Sequence, residues 1–339
     1  MKILLSSHFF HPSVGGIEQV SFTLAREFVK AGHEVRVVTT TSGEGESGFS
    51  FETFRRPAPG KLIDLVRWCD VFFHNNISLQ TAWPLLFIRK PWVVAHHTWL
   101  ARISGRIGLR DRLKQHLIRY AVNISVSKAV ARHLSTPSVT IGNPYRDELF
   151  KVIPGVRRDR ELVFLGRLVW DKGLDLLISA LALLRQKGVT PRLTVIGDGS
   201  EGVALRNQIQ RMGLETQIEM VGTRTGAELV SLLNAHNVIV IPSRWQEPFG
   251  LVALEGIACG CVAVGAECGG LPDAIGPAGT TFACDDVEDM ARKIEALLDD
   301  EAVLKSCRAA AAGHLLDHTA KDVARKYLDV LEGASRWLL

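Results

Sequence analysis

At 339 residues the chain is too long for one core of ordinary size, so two domains of roughly 150 residues are expected. Hydrophobic residues make up 47% and charged residues 22%, which excludes a disordered or fibrous chain and leaves ample core material. The net charge of +4 suits an anionic substrate or a membrane surface and is too small to argue for nucleic acid.

The first residues, "MKILLSS", hold an apolar run too short for a signal peptide and no cleavage-like segment. No apolar run reaches the roughly 20 residues that cross a bilayer, so a cytoplasmic protein is expected. "KILLSS" reads as a buried strand. Apolar residues then recur at Ile17, Val20, Leu24 and Phe28, a helical stripe that Gly32 terminates before the strand "HEVRVVTT". "CDVFFHN", "PWVVAHH", "VNISVS" and "SVTIGN" read as further strands, most of them separated by helices. Such alternation implies a parallel sheet covered on both faces.

Between those strands "ARISGRIGLRDRLKQHLIRY" carries Arg102, Arg106, Arg110, Arg112, Lys114 and Arg119, with Ile103, Ile107, Leu113 and Leu117 at helical spacing. Residues 102–120 therefore read as a basic amphipathic helix, either a membrane-surface face or a solvated charged one. "PYRDELFKVIPGVRRDR", polar and without periodicity, reads as a linker. The strand–helix alternation restarts at "ELVFLG" and runs through "RLTVIGDG", "TQIEMVG", "NVIVIPS" and "CVAVGA". Three helical patterns close the chain from Val287 onward. The expected fold is α/β: two doubly wound Rossmann-like domains, over 1–150 and 160–320, facing a central cleft. A helix over 321–339 would follow, packing back on the first domain. Six cysteines without a CxxC pair read as free thiols in a reducing compartment, and the spacing of Cys259, Cys261 and Cys268 is wrong for a structural zinc site.

Four segments carry chemistry. In "SRWQEPFGLVALEG", Pro248 and Gly250 interrupt any helix and delay it to about Gly250 or Leu251, so Glu247 falls on the strand-to-helix loop and Glu255 inside the helix. A helix start is an anion site, so the two carboxylates would hold hydroxyl groups on either side of a phosphate, the layout of a sugar nucleotide. Alternatively, Glu247 caps the helix and Glu255 is a surface residue. In "FLGRLVWDKG", Arg167 and Lys172 follow a buried strand and suit a diphosphate, unless they are solvated loop charges. Gly15 and Gly16 before the first helix would let backbone approach a ligand, or simply form a turn. His96 and His97 end a strand where catalytic groups sit in α/β sheets, or pack there structurally. The absence of HExxH, GxSxG, Walker and DxD patterns disfavours zinc protease, hydrolase, NTPase and DxD-type metal-dependent transferase chemistry.

Together these segments resemble the retaining GT-B glycosyltransferases of family 4 (glycosyl transferases group 1), over nearly the whole chain. The carrying stretches are "GGIEQVSFTLAREFVKAGHEVRVVTT", "LGRLVWDKG", "VIGDGSE", "IPSRWQEPFGLVALEGIACGCVAV" and "CGGLPDAIG". "IGNPYRDELF" departs from the family's Asn-Gly-Val-Asp pattern at Pro144 and Tyr145, and Asp273 stands where a glutamate is more usual. The resemblance implies an acceptor-binding first domain and a donor-binding second one. It implies that Glu247 binds the transferred sugar, Glu255 the ribose diol, and Arg167 and Lys172 the diphosphate. Backbone groups from Phe249 through Gly250, Leu251 and Val252 would assist, with Gly16 near the phosphates and His97 (or His96, one residue away) near the sugar. The implied reaction is hexosyl transfer from a UDP- or GDP-linked sugar to an acceptor hydroxyl, with retention and without a metal or other cofactor. A saccharide or lipid-linked acceptor follows, in cell-surface polysaccharide, lipopolysaccharide or glycolipid synthesis at the inner face of the membrane. A sugar-nucleotide epimerase on the same fold and a non-catalytic sugar-nucleotide-binding protein are the competing readings.

Overall fold

The computed structural model describes residues 1–13, 15–43, 48–100 and 108–336, which form two units. The first comprises Met1–Pro144 and Ala320–Leu339, the second Tyr145–Thr319.

In the first unit the strands are β1 (Lys2–Ser7), β2 (Glu34–Thr39), β3 (Glu52–Arg55), β4 (Val71–Asn75), β5 (Trp92–His96), β6 (Val122–Ser125) and β7 (Val139–Thr140). They form one parallel sheet in the order β3-β2-β1-β4-β5-β6-β7. Its helices are α1 (Gly16–Lys30), α2 (Pro59–Trp68), α3 (Leu79–Ala82), α4 (Leu109–Leu117), α5 (Lys128–His133) and, from the far end of the chain, α13 (Ala320–Arg336). β1 and β4 are buried along nearly their whole length, because helices cover both faces of the sheet. α13 buries Val323, Tyr327 and Leu331, and the Tyr327 ring meets Phe73 of β4 edge-on at 5.7 Å.

The second unit repeats the plan with β8 (Arg160–Leu165), β9 (Leu193–Ile196), β10 (Ile218–Gly222), β11 (His236–Ile241), β12 (Val262–Ala266) and β13 (Gly279–Phe282), ordered β10-β9-β8-β11-β12-β13 and all parallel. Its helices are α6 (Leu174–Gln186), α7 (Gly202–Arg211), α8 (Gly226–Ala235), α9 (Leu251–Ala258), α10 (Leu271–Ile275), α11 (Val287–Asp299) and α12 (Glu301–Leu316).

Four expectations change. β3 has no counterpart among the expected strands: it is a half-exposed edge strand without an apolar run. The supposed linker is packed on the second unit. Phe150 is buried, the Ile153 amide donates to Asn234 Oδ1 at 2.8 Å, and Arg158 donates to the carbonyls of His236 and Cys259 at 3.0 and 2.5 Å. Of the basic segment, 102–107 lies outside the described residues. The helix is only Leu109–Leu117, followed by a 3-10 turn over Ile118–Tyr120. Cys268 and Cys284 are disulfide-paired rather than free, with Cα atoms 5.9 Å apart.

Candidate active site

β8 and β11 are neighbours at the centre of the second sheet, and the strands that follow them lie on opposite sides. The carboxyl end of such a pair is a switch point, where loops part and leave room for a ligand. A cavity of about 150 Å³ lies there, lined by Gly166, Lys172, Ser243, Glu247, Leu251 and Val252 among others.

Lys172 reaches the cavity from a 3-10 turn over Trp170–Lys172 that leads into α6. Glu247 comes from the loop between β11 and α9. Their side chains form an ion pair on Glu247 Oε1, and Ser243 Oγ donates to the same oxygen at 3.1 Å. With the lysine 23% and the glutamate 16% exposed, the pair is screened less than a surface one. An ammonium has three N–H donors, so Lys172 keeps two for another anion. Gly250 precedes α9 at φ 108°, and a Cβ there would lie 2.5 Å from Leu271 Cδ2. That backbone turns the start of α9 toward the cavity, where Leu251 and Val252 bring the helix's positive end.

Glu255 lies a turn further into α9. Burial pushes its carboxyl up to about 7, opposed by the charge of Arg146. The folded chain thus holds a proton that the unfolded chain releases near the ordinary value of 4.5. This group's contribution to stability is full below that value, is lost as pH rises to about 7, and is constant above. Glu255→Gln is therefore expected to stabilise the protein at pH 8, by about 3 kcal/mol at most, and to change little at pH 4.5. Thermal melts at the two pH values check it, and equal melting temperatures for parent and variant at pH 8 would contradict it.

Of the second-unit residues named from the sequence, Arg167, Phe249 and Glu255 are not among those that line the cavity. The Arg167 side chain is exposed on the turn after β8, outside the residues that line the cavity. The Phe249 side chain is 2% exposed and packs on the His318 ring at 5.4 Å, which leaves its backbone, the group named from the sequence.

Arg244 went unnoticed in the sequence. It makes a forked pair with Asp175 at 2.5 and 2.6 Å, meets Asp285 at 3.2 Å and lies 5.2 Å from the centroid of the Trp170 ring. The hydrogen bonds to Asp175 raise its already high pKa. Its own amide and that of Trp245 donate to Asp171 O at 3.0 and 3.3 Å. Arg244 thereby ties the loop of Glu247 to the turn of Lys172. An arginine beside a strand's carboxyl end was the available signal, but its partner is 69 residues away.

The remaining two candidates belong to the first unit. Gly16 is the first residue of α1, where the Glu18 carboxylate already sits: a Cβ on Gly15 would lie 2.5 Å from Glu18 Oε2, and Ser13 donates to Oε1 at 3.0 Å. Glu18 complements the helix dipole there, so a phosphate arriving at Gly16 would meet a like charge. His97 is 5% exposed, and its Nε2 is 2.6 Å from Asn75 Oδ1. The Asn75 amide nitrogen is committed to Ser21 Oγ at 2.6 Å, so its oxygen accepts and His97 Nε2 carries the proton. Burial, then His96, push the His97 pKa to about 3, while the Asn143 side chain opposes the shift. His96 is likewise held, donating Nε2 to Asn123 Oδ1 at 2.9 Å, and burial pushes it to about 4. Burial thus favours the neutral form of both imidazoles.

Residues 146–314 match the family model of glycosyl transferases group 1, and residues 14–140 match that of Glycosyltransferase Family 4. The chain is 35% identical over 179 residues to a glycogen synthase of Mycobacterium tuberculosis, covering 52% of this chain and 43% of the relative. It is 37% identical over 157 residues to a D-inositol 3-phosphate glycosyltransferase of Pseudarthrobacter chlorophenolicus, covering 44% and 37%. The chain thus spans about two fifths of the length of these curated relatives. Its fold matches the crystal structure of Anabaena HepE in complex with UDP, with a TM-score of 0.83 at 22% identity, covering 98% of this chain and 100% of that one. Two parallel Rossmann-like sheets and two family models that together account for residues 14–140 and 146–314 give one conclusion: the chain belongs to the GT-B glycosyltransferases of group 1.

Proposed function

We propose that this chain transfers a hexose from a nucleoside-diphosphate sugar to an acceptor hydroxyl, with retention of configuration and without a divalent metal. The single observation that carries the reading is the cavity at the end of β8 and β11, where an ammonium, a carboxylate and a helix N-terminus meet. The leaving diphosphate gains charge as the glycosidic bond breaks. The two free donors of Lys172 and the start of α9 would stabilise that charge, the part a metal plays in other transferases. Glu247 would hold hydroxyls of the transferred sugar, and Glu255 the ribose diol. HepE binds UDP, which makes UDP the first base to test and GDP the second. Incubation with UDP- and GDP-sugars, with nucleotide release measured with and without EDTA, tests this. Release that persists in EDTA supports the reading. Activity abolished by EDTA and restored by magnesium or manganese would overturn its metal-free part, and no release from any donor would overturn it entirely.

We further propose that the acceptor lies at the inner face of a membrane, in polysaccharide, lipopolysaccharide or glycolipid synthesis. No helix among the described residues is long and apolar enough to cross a membrane. In the first unit, however, Leu86, Phe87, Leu109 and Tyr120 are 70–85% exposed. They accompany an apolar groove of about 590 Å³ that Arg89 and Lys90 also line. Arg110, Arg112 and Arg119 are exposed on and just after α4. Exposed apolar groups among cations suit an anionic bilayer. Phe87→Ser is expected to lower sedimentation with phosphatidylglycerol vesicles several-fold. Failure of the parent to sediment with them at low salt would refute the proposal.

A further inference from the structure

The Cys268–Cys284 disulfide stands beside the candidate site, and the catalytic reading above makes no use of it. It joins the loop after β12 to the loop after β13, across 16 residues of sequence. Each of those loops supports the loop of Glu247. On the Cys268 side, the Gly270 amide donates to Glu247 O at 2.6 Å. Gly269, at φ 62°, lies so close that a Cβ there would run into the same carbonyl oxygen. On the Cys284 side, Asp285 has φ 61°, in the left-handed region that a residue with a Cβ rarely adopts. Its Oδ1 pairs with Arg244 Nε at 3.2 Å. Arg244 carries that support on to the turn of Lys172, because its amide donates to Asp171 O at 3.0 Å. One covalent link therefore secures both supports of the Glu247 loop.

Thiol exchange needs an accessible sulfur, and Cys284 is exposed while Cys268 is 4% exposed. An incoming thiolate thus bonds to Cys284 Sγ, the Cys268–Cys284 bond breaks, and its electron pair leaves on Cys268 Sγ, which takes up a proton. A second thiolate attacks the outer sulfur of this mixed disulfide and expels the Cys284 thiolate, which is protonated in turn. In sum, two external thiols become one external disulfide, and the protein disulfide becomes two thiols. The reverse direction takes an external disulfide as oxidant. The Cα separation of 5.9 Å lies in the range a disulfide spans, so closure needs no movement of the strands. The other cysteines are poor competitors: burial pushes the Cys69, Cys259 and Cys261 thiols up to about 12 and raises that of Cys307.

We propose that Cys268 and Cys284 form an exchange site for small thiols and disulfides, and that its closed state firms the loop of Glu247 while its open state loosens it and weakens nucleotide binding. The effect on the nucleotide rests on the reading of the cavity as the donor site; the effect on the loop does not.

The test equilibrates the parent, Cys284→Ser and Cys307→Ser with reduced or with oxidised glutathione. Free thiols are counted by alkylation and mass, hydrogen–deuterium exchange is followed by segment, and UDP and GDP are titrated calorimetrically. The reduced parent should carry two more alkylated cysteines than the oxidised one. Its segments 244–250 and 268–270 should exchange about tenfold faster, and it should bind the nucleotide about fivefold more weakly. Cys307→Ser should respond as the parent does. Cys284→Ser should behave as the reduced parent in both buffers. Equal exchange of those segments in the two buffers, no gain of alkylated cysteines on reduction, or a response that survives Cys284→Ser would overturn the proposal. Faster exchange on reduction, with neither nucleotide bound in either state, would count against the donor site alone.

Discussion

Glu247→Gln is expected to lower turnover by on the order of a hundredfold while leaving nucleoside-diphosphate affinity unchanged or slightly raised. Each charge-assisted hydrogen bond from a sugar hydroxyl to the carboxylate is worth about 1.5–3 kcal/mol, and a bare nucleoside diphosphate has no sugar to make one. The carboxylate also occupies one donor of Lys172. Its removal frees the ammonium for phosphate, hence the expectation of equal or tighter binding. A turnover assay beside calorimetric titration separates the outcomes. Loss of nucleotide affinity in step with turnover would mean that Glu247 organises the site rather than holding the sugar.

The second large effect is expected from Gly173→Ala. Gly173 has φ 69°, and a Cβ there would lie 1.9 Å from the carbonyl oxygen of Pro242. Backbone cannot yield at that distance without parting the turn of Lys172 from the loop of Glu247. Left-handed strain and overpacking together should remove about 3 kcal/mol of stability, a fall of roughly 10 °C in melting temperature, with nucleotide affinity down tenfold or more. Gly188→Ala is the control. Gly188 has φ 81° with nothing within 4 Å, so the strain stands alone and should remove only about 1 kcal/mol without touching nucleotide affinity. Equal effects of the two substitutions would show that the contact with Pro242 does not hold the site together.

Most strands were legible because they are short apolar runs bounded by glycine, proline or polar residues, as in "KILLSS" and "NVIVIPS". β3 was not, because an edge strand half in solvent has no such run. Residues 145–158 look like a linker since their anchors are single contacts, Phe150 and Arg158, rather than a periodic face. At the site, Lys172 and Glu247 were readable from their places at strand ends. What joins them was not. Arg244 works through Asp175, and Gly173 through Pro242, contacts made only after β8 and β11 are laid side by side. The same holds for His97, whose tautomer depends on Asn75 and Ser21, residues from a different strand and a helix. Arg167, read as half of a diphosphate clamp, lies exposed on the turn after β8, next to Gly166 of the cavity wall; the sequence places it beside the site but cannot say where its side chain points.

The central claim is that the cavity at the ends of β8 and β11 holds the diphosphate of a sugar nucleotide through Lys172. Calorimetric titration of UDP and GDP into the parent and Lys172→Ala tests it most directly. The account predicts that one of the two nucleotides binds the parent at one site per chain and binds Lys172→Ala at least tenfold more weakly. Binding to the parent that survives Lys172→Ala undiminished, or no binding of either nucleotide to the parent, would contradict it.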